Sequence, residues 1–127
     1  MIRLFSVLAC MLLAACGADS PAAPSSLGVR LVQNATSSGL PTVAEFGAES
    51  CASCRDMKIV LDKVASQTKG QAHVLLVDIS KDWPAAKFFS IQMMPTQVFF
   101  GADGREVGRH MGKLSEAEVV ARLGLKP

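Results

Sequence analysis

Two cysteines spaced three positions apart, in the segment Ser50–Asp56 ("SCASCRD"), are the residues best suited to chemistry. Such a pair can hold half of a zinc site, attach haem, form a structural crosslink or exchange electrons as a dithiol. Haem attachment requires histidine after the second cysteine, and Arg55 stands there. Zinc normally takes four ligands, and the only histidines are His73 and His110. A crosslink over so short a loop adds little stability. Zinc and a crosslink stay open as weaker alternatives.

The dithiol interpretation has a mechanism. A β-type run, Thr42–Phe46, precedes a segment with helical periodicity from Cys51 to Lys69. Cys51 is therefore expected at a helix N-terminus, where the dipole and free N–H groups favour a thiolate. Cys54 is expected one turn inside the helix and shielded. Cys51 could then attack a substrate disulfide, and Cys54 could resolve the mixed disulfide.

The N-terminal segment resembles an export signal. Arg3 is followed by an uncharged apolar run, Leu4–Ala15, which is too short for a permanent span of about 20 residues. Its end, Leu13-Ala14-Ala15-Cys16, resembles the lipobox of bacterial lipoproteins, which implies cleavage before Cys16 and lipidation of that cysteine. An ordinary secretory signal cleaved nearby is the alternative.

This interpretation divides the chain of 127 residues into a signal peptide (1–15), a lipidated N-terminus with an Ala/Ser/Pro/Gly-rich tether (16–28) and one domain (29–127). We expect an extracytoplasmic monomer, lipid-anchored to a bacterial membrane and on the periplasmic side in a diderm cell. Thirteen Lys and Arg against eleven Asp and Glu, scattered along the chain, exclude a strongly basic nucleic-acid-binding surface.

The remaining segments predict an alternation of strands and helices. The predicted elements are a short edge strand (Val29–Gln33), the strand and helix described above, a buried parallel strand (His73–Ile79), a short helix capped by Asp82, a hairpin (Thr96–Phe100 and Arg105–His110) and a final helix reaching Leu123. In the long helix one apolar stripe is predicted to be buried: Met57, Val60, Leu61, Val64 and Thr68. Ser115 and Glu118 have the spacing of a capping box for the last helix.

From Gly39 to Leu123 the chain resembles the thioredoxin family. Three segments carry the resemblance: "VAEFGAESCASC" matches the strand-to-helix segment that ends in the family's Trp-Cys-Gly-Pro-Cys, Met94-Pro95-Thr96 matches its cis-proline loop, and Gly112 matches the glycine of its last strand. The resemblance implies an α/β thioredoxin-like sandwich, with a central mixed β-sheet flanked by helices on both faces.

The resemblance also implies roles for individual residues. Cys51 would be the nucleophile and Cys54 the resolving thiol. Pro95 would form a cis bond facing the disulfide, and Met94, Ala52 and Ser53 would contact the substrate. Neither a metal nor a cofactor is implied. No glycine-rich nicotinamide fingerprint is present, so electrons would come from a membrane thiol transporter.

Glu45, inside the apolar run before the cysteines, matches the family's buried acid, which moves protons to and from the resolving cysteine. We expect its burial to raise its pKa towards neutrality. The family often pairs this acid with a lysine on the next strand, but Val74 and Leu76 are the facing candidates here, so no such partner is expected. The alternative is that Glu45 points to solvent.

The chain departs from the family pattern around the cysteines. Gly47 and Ser50 replace tryptophans, and Ala52-Ser53 replaces Gly-Pro between the cysteines, where the dipeptide tunes the reduction potential. We expect a thiol-disulfide oxidoreductase that reduces disulfides of exported proteins. A dithiol oxidase or isomerase of the same fold and a copper-binding module without enzymatic activity are the alternatives.

Overall fold

A computed structural model describes residues 26–126 of the chain. In chain order the elements are α1 (Leu27–Thr36), β1 (Thr42–Gly47), α2 (Ala52–Gln67), β2 (His73–Asp78), α3 (Trp83–Phe88), β3 (Thr96–Phe100), β4 (Glu106–Met111) and α4 (Glu116–Arg122). The predicted signal peptide, the predicted lipidation site Cys16 and most of the predicted tether lie outside the described residues. Within residues 26–126, no helix is both long and apolar enough to cross a membrane.

The four strands form one mixed sheet in the order β2-β1-β3-β4. β1 runs parallel to β2 and antiparallel to β3, and β3 and β4 form the predicted antiparallel hairpin. All six residues of β1 are buried, because strands flank it on both edges and helices cover both of its faces. β1 ends directly before the two cysteines, so the most buried strand positions the candidate site.

Helices cover both faces of the sheet, as predicted. One core cluster joins α1 and α3 to the sheet and is centred on Val29, Val32, Ala44, Phe46 and Val98. The other joins α2 and α4 to the opposite face and is centred on Val43, Met57, Leu61, Phe99 and Val119. Alternate residues of β1 therefore contribute to opposite cores, as the period of two in a strand requires.

Two predicted local structures are wrong. Val29–Gln33, predicted as an edge strand, lies in α1; Val29 and Val32 are spaced for one helical face, and both are buried. The side chain of Ser26 caps this helix by accepting a hydrogen bond from the Val29 N–H at 3.1 Å. Leu27 and Gly28, assigned to the tether, form the first turn of α1.

The second wrong prediction concerns the burial of β2. Its apolar sequence predicted a buried strand, and it does pair in parallel with β1, but it lies at the edge of the sheet. Only Val77 is buried, and Leu76 is 40% exposed. The capping predictions are confirmed: Asp82 caps α3, and Ser115 and Glu118 form the capping box of α4.

Candidate active site

Cys51 and Cys54 form a disulfide at the junction between β1 and α2. Cys51 is the N-cap of α2, and its sulfur accepts a hydrogen bond from the Cys54 N–H at 3.3 Å. The Ser53 hydroxyl lies 3.3 Å from the same sulfur. After reduction these groups and the helix dipole would stabilise a thiolate on Cys51. Cys51 is partly exposed, whereas Cys54 is 5% exposed, so the two sulfurs have different access to solvent.

Glu45 is buried on the α2 side of β1, with only 2% of its surface exposed. The alternative that it points to solvent is wrong. Its Oε2 atom has no hydrogen-bond partner among the described residues. Burial raises the pKa of Glu45 from 4.5 to about 7, and the positive charge of Lys58 opposes this rise. Leu76, one of the two residues predicted to face it, lies opposite Glu45 on β2.

Gly47 brings the carboxyl group and the inner sulfur close together. A Cβ atom on this residue would lie 3.1 Å from the Sγ of Cys54 and 3.3 Å from the Oε1 of Glu45. Both contacts are tighter than an ordinary van der Waals contact, so a larger residue would push the two groups away. The Cys54 sulfur and the Glu45 Oε1 atom therefore both border the small space that Gly47 leaves, an arrangement in which a carboxyl group could exchange a proton with the thiol directly or through one water.

Gln97 is a buried polar residue that the sequence analysis missed. It lies directly opposite Glu45 in the antiparallel pair of β1 and β3, so both side chains lie on the same face of the sheet. It is fully buried, and neither of its amide atoms has a partner among the described residues. A glutamine inside the apolar segment Thr96–Phe100 was the available signal, but its meaning depends on the register with Glu45.

The loop before β3 presents the predicted proline. The Met94–Pro95 peptide bond is cis, as the resemblance implied. The carbonyl of Pro95 accepts a hydrogen bond from the Gly112 N–H at 2.8 Å, and Gly112 has a φ of 101° that glycine adopts readily. Met94 is 41% exposed and Met93 is 52% exposed. Both methionines thus offer adaptable apolar surface.

A cavity of about 340 Å³ opens beside the disulfide, between α2 and the edge of the sheet formed by β1 and β2. Its inner wall is formed by Cys54, Glu45 and Gly47, and Leu76 lies at its outer side. The charged residues of its lining are Arg55, Lys58, Lys81, Glu49 and Asp78. Residues 26–126 contain no group of three or more His, Cys, Asp and Glu side chains placed to bind a metal ion.

The fold and the disulfide define a thioredoxin-like protein, and comparison with known proteins agrees. The Thioredoxin family model matches residues 30–124, and the chain belongs to this family. With the Cys51–Cys54 pair at the start of α2, the protein is a thiol-disulfide oxidoreductase.

Individual relatives are distant. The chain is 31% identical to the thioredoxin-like protein slr0233 of Synechocystis over 65% of this chain and 78% of that one. It is 30% identical to the chloroplastic thioredoxin-like protein HCF164 of Arabidopsis thaliana over 72% of this chain, and spans 36% of that longer protein. Fasciola hepatica thioredoxin superposes with a TM-score of 0.65 and 27% identity, covering 76% of this chain and 88% of that one.

Proposed function

We propose that this protein reduces disulfide bonds of exported proteins, with Cys51 as the nucleophile and Cys54 as the resolving thiol. The observation that carries the proposal is the arrangement of the disulfide: Cys51 caps α2 and is partly exposed, and Cys54 is buried beside Glu45. An exposed, stabilised thiolate is suited to attack, and a shielded thiol beside a base is suited to resolution.

The reaction starts from the reduced dithiol. The Cys51 thiolate attacks one sulfur of a substrate disulfide, and the other substrate sulfur leaves as a thiolate. Cys54 passes its proton to Glu45 and attacks the Cys51 sulfur, which expels the second substrate thiolate and forms the intramolecular disulfide. The substrate gains two electrons and the protein loses two. With its pKa raised to about 7, Glu45 is partly ionised at neutral pH and can accept this proton.

Substrate contact is assigned to the surface around Cys51. Ala52 is exposed and Ser53 partly exposed next to Cys51, and Met94 is exposed beside the cis bond to Pro95. An extended substrate segment could lie along this surface, with the backbone of Met94 available for hydrogen bonds and its side chain for apolar contact.

Reduction rather than oxidation is supported by three features. Glu45 is a buried base beside Cys54; residues 26–126 follow the plain order of elements without an inserted helical domain; and the predicted lipid on Cys16 would hold the domain beside a membrane. We propose that a membrane thiol transporter supplies the electrons there, outside the cytoplasm.

The test is capture of mixed disulfides. A Cys54→Ala variant of the full chain cannot resolve, so Cys51 should hold its substrates covalently for identification by mass spectrometry. Export signals in the captured proteins would support the proposed substrates and location. Capture of cytoplasmic proteins would contradict the location, and an absence of adducts would contradict the exchange mechanism. A Cys51→Ser variant with intact Cys54 is the matched control and should capture none of these proteins.

The direction of transfer is tested on the wild-type protein. The reduced domain should catalyse reduction of insulin disulfides, and its reduction potential should be at least as negative as that of the glutathione couple, about −220 mV or below. A clearly less negative potential would instead favour the oxidase or isomerase alternative.

A further inference from the structure

The cavity beside the disulfide gives Cys54 a second approach, separate from the surface around Cys51. In the disulfide, Cys54 is 5% exposed, but it forms part of the inner wall of a space of about 340 Å³. Gly47 leaves this wall open, because any side chain there would start within 3.1 Å of the Cys54 sulfur. Leu76, on the edge strand β2, borders the same space and is 40% exposed.

We propose that a low-molecular-weight thiol enters this cavity and reduces the disulfide by attacking the sulfur of Cys54. The inference rests on the proposed dithiol cycle but assigns a different co-reactant to a different sulfur: protein disulfides react at Cys51, and small thiols react at Cys54.

The stabilities of the two possible leaving groups favour attack at Cys54. An attacking thiolate expels the sulfur that it does not attack, and the thiol with the lower pKa leaves faster. Cys51, at the N-terminus of α2, receives the Cys54 N–H and the helix dipole, so it is the better leaving group. A resolving cysteine is normally too shielded to be attacked from solvent. Here the cavity gives a small thiol access to Cys54.

The electrons and protons balance with a second thiol. The first thiol gives its proton to Glu45 and forms a mixed disulfide with Cys54, while Cys51 leaves as a thiolate. A second molecule of the same thiol attacks the bound sulfur of the first and releases a small disulfide. The protein gains two electrons, Cys54 recovers its proton from Glu45, the proton of the second thiol passes to solvent, and the two small thiols are oxidised to one disulfide.

The cavity also selects by size and tolerates either sign of charge. A liquid water occupies about 30 Å³, so the space holds roughly ten atoms of that size, which is enough for a small thiol. Lys81 lies 3.2 Å from Glu49 and 3.4 Å from Asp78, so its positive charge offsets one of these two negative charges. Lys58 and Arg55 also line the space, so that its lining apart from Glu45 holds three basic and two acidic side chains and is close to balanced.

The experiment uses the reverse of the second step, in which the Cys54 thiol attacks a small disulfide through the cavity. In a Cys51→Ser background, the Cys54 thiol is mixed with the disulfide of mercaptoethanol, and adduct formation is followed by mass spectrometry. Leu76→Trp replaces a leucine at the border of the cavity with a bulky indole ring. It should slow this reaction about tenfold, because access through the cavity limits the reaction rate of the buried Cys54 thiol. Leu76→Ala should leave it as fast or faster. Val107→Trp is the matched control, since Val107 is 63% exposed on β4, away from the cavity, and should change nothing.

The outcomes separate this inference from the proposed function. Equal rates for Leu76→Trp and Val107→Trp would overturn the inference. It would also be overturned if the adduct formed no faster than the protein unfolds, as measured by hydrogen exchange of the β1 amides, because Cys54 would then react only in the unfolded chain. The same substitutions in a chain that retains Cys51 are tested in a single turnover, in which the pre-reduced protein reduces insulin with no small thiol present; this reaction should be unaffected. If insulin is not reduced while Leu76→Trp still protects Cys54, the proposed function fails and the cavity route stands.

Discussion

Two carboxyl groups on opposite faces of the sheet, those of Asp82 and Glu45, have pKa values shifted in opposite directions. On the α1/α3 face, Asp82 accepts hydrogen bonds from the Ser26 hydroxyl at 2.8 Å, the Gly28 N–H at 2.7 Å and the Ala85 N–H at 3.2 Å. These bonds, the one from Gly28 foremost, hold the pKa of Asp82 below its usual value. On the α2/α4 face, burial raises the pKa of Glu45 to about 7, and its Oε2 atom has no partner among residues 26–126.

The difference separates structure from chemistry. A carboxylate with its acceptor sites filled is fixed in one protonation state and joins two helices, as Asp82 joins α1 and α3. A buried carboxyl group without hydrogen-bond partners is costly to ionise, so its pKa rises towards neutral pH, the range in which a general acid or base is useful. The comparison predicts that changes at Asp82 affect stability, whereas changes at Glu45 affect how stability and reactivity depend on pH.

Asp82→Ala should have the largest effect on stability, a loss of about 3 kcal/mol in the free energy of unfolding. The substitution removes the N-cap of α3 and leaves the buried Gly28 N–H without its acceptor. Urea unfolding followed by circular dichroism measures the change. Asp103→Ala, in the exposed hairpin turn, is the control and should cost much less. A loss at Asp82 no larger than at Asp103 would contradict its joining role.

Glu45 should make stability fall as pH rises. Its pKa is raised from 4.5 to about 7 in the folded state, so the folded protein binds the proton more tightly than the unfolded chain. The resulting stabilisation is complete below about pH 4.5 and is lost as pH rises through 7. Between pH 5 and pH 8 the oxidised protein should lose about 2 kcal/mol through this group.

Glu45→Gln isolates that contribution, because glutamine has nearly the same volume and does not titrate. Urea midpoints measured from pH 5 to pH 8 should fall with pH in the wild type more steeply than in the variant, and the difference should level off above about pH 7. Glu49→Gln, at an exposed acid near the same cavity, should follow the wild type. Parallel curves for the wild type and Glu45→Gln would show that Glu45 is not the titrating group.

The sequence predicted the environment of Glu45, on the α2/α4 face, better than that of Asp82, on the α1/α3 face. The match of Glu45 to the family's buried acid predicted its burial, with exposure to solvent as the alternative, and the structure gives the physical reason: β1 is a central strand covered on both faces. The cap at Asp82 was predicted from its position before Pro84. Its bonds to Ser26 and Gly28 were not, because they join residues more than fifty positions apart and α1 itself was predicted as a strand. The five residues Val29–Gln33 do not distinguish helix from strand, because Leu31 follows Val29 at the strand spacing of two and Val32 follows it at the helical spacing of three.

The missing parts of the site have the same physical origin. Gln97 meets Glu45 only through the register of β1 with β3, and the cavity depends on Gly47 and Leu76 from different strands. In the sequence, Gly47 stands where the family has a tryptophan, and Leu76 where the family often has a lysine. That these two smaller or apolar residues leave one open space beside Cys54 follows only once the side chains are placed in three dimensions.

Lys58 should have the smallest effect, and it tests how isolated Glu45 is. This lysine comes from α2 rather than from the neighbouring strand, and its charge lowers the pKa of Glu45 against the rise caused by burial. It also lies 2.6 Å from Asp62, and both side chains are more than half exposed, so solvent screens it strongly. Lys58→Met should therefore raise the pKa of Glu45 further, but only by a few tenths of a unit.

Carbon-13 NMR titration of the Glu45 carboxyl group measures this change in pKa. Lys63→Met, on the same helix and paired with Glu116, should leave it unchanged. A rise of a full unit or more would mean that Lys58 is a true partner of Glu45, and the contrast with Asp82 would then be one of degree.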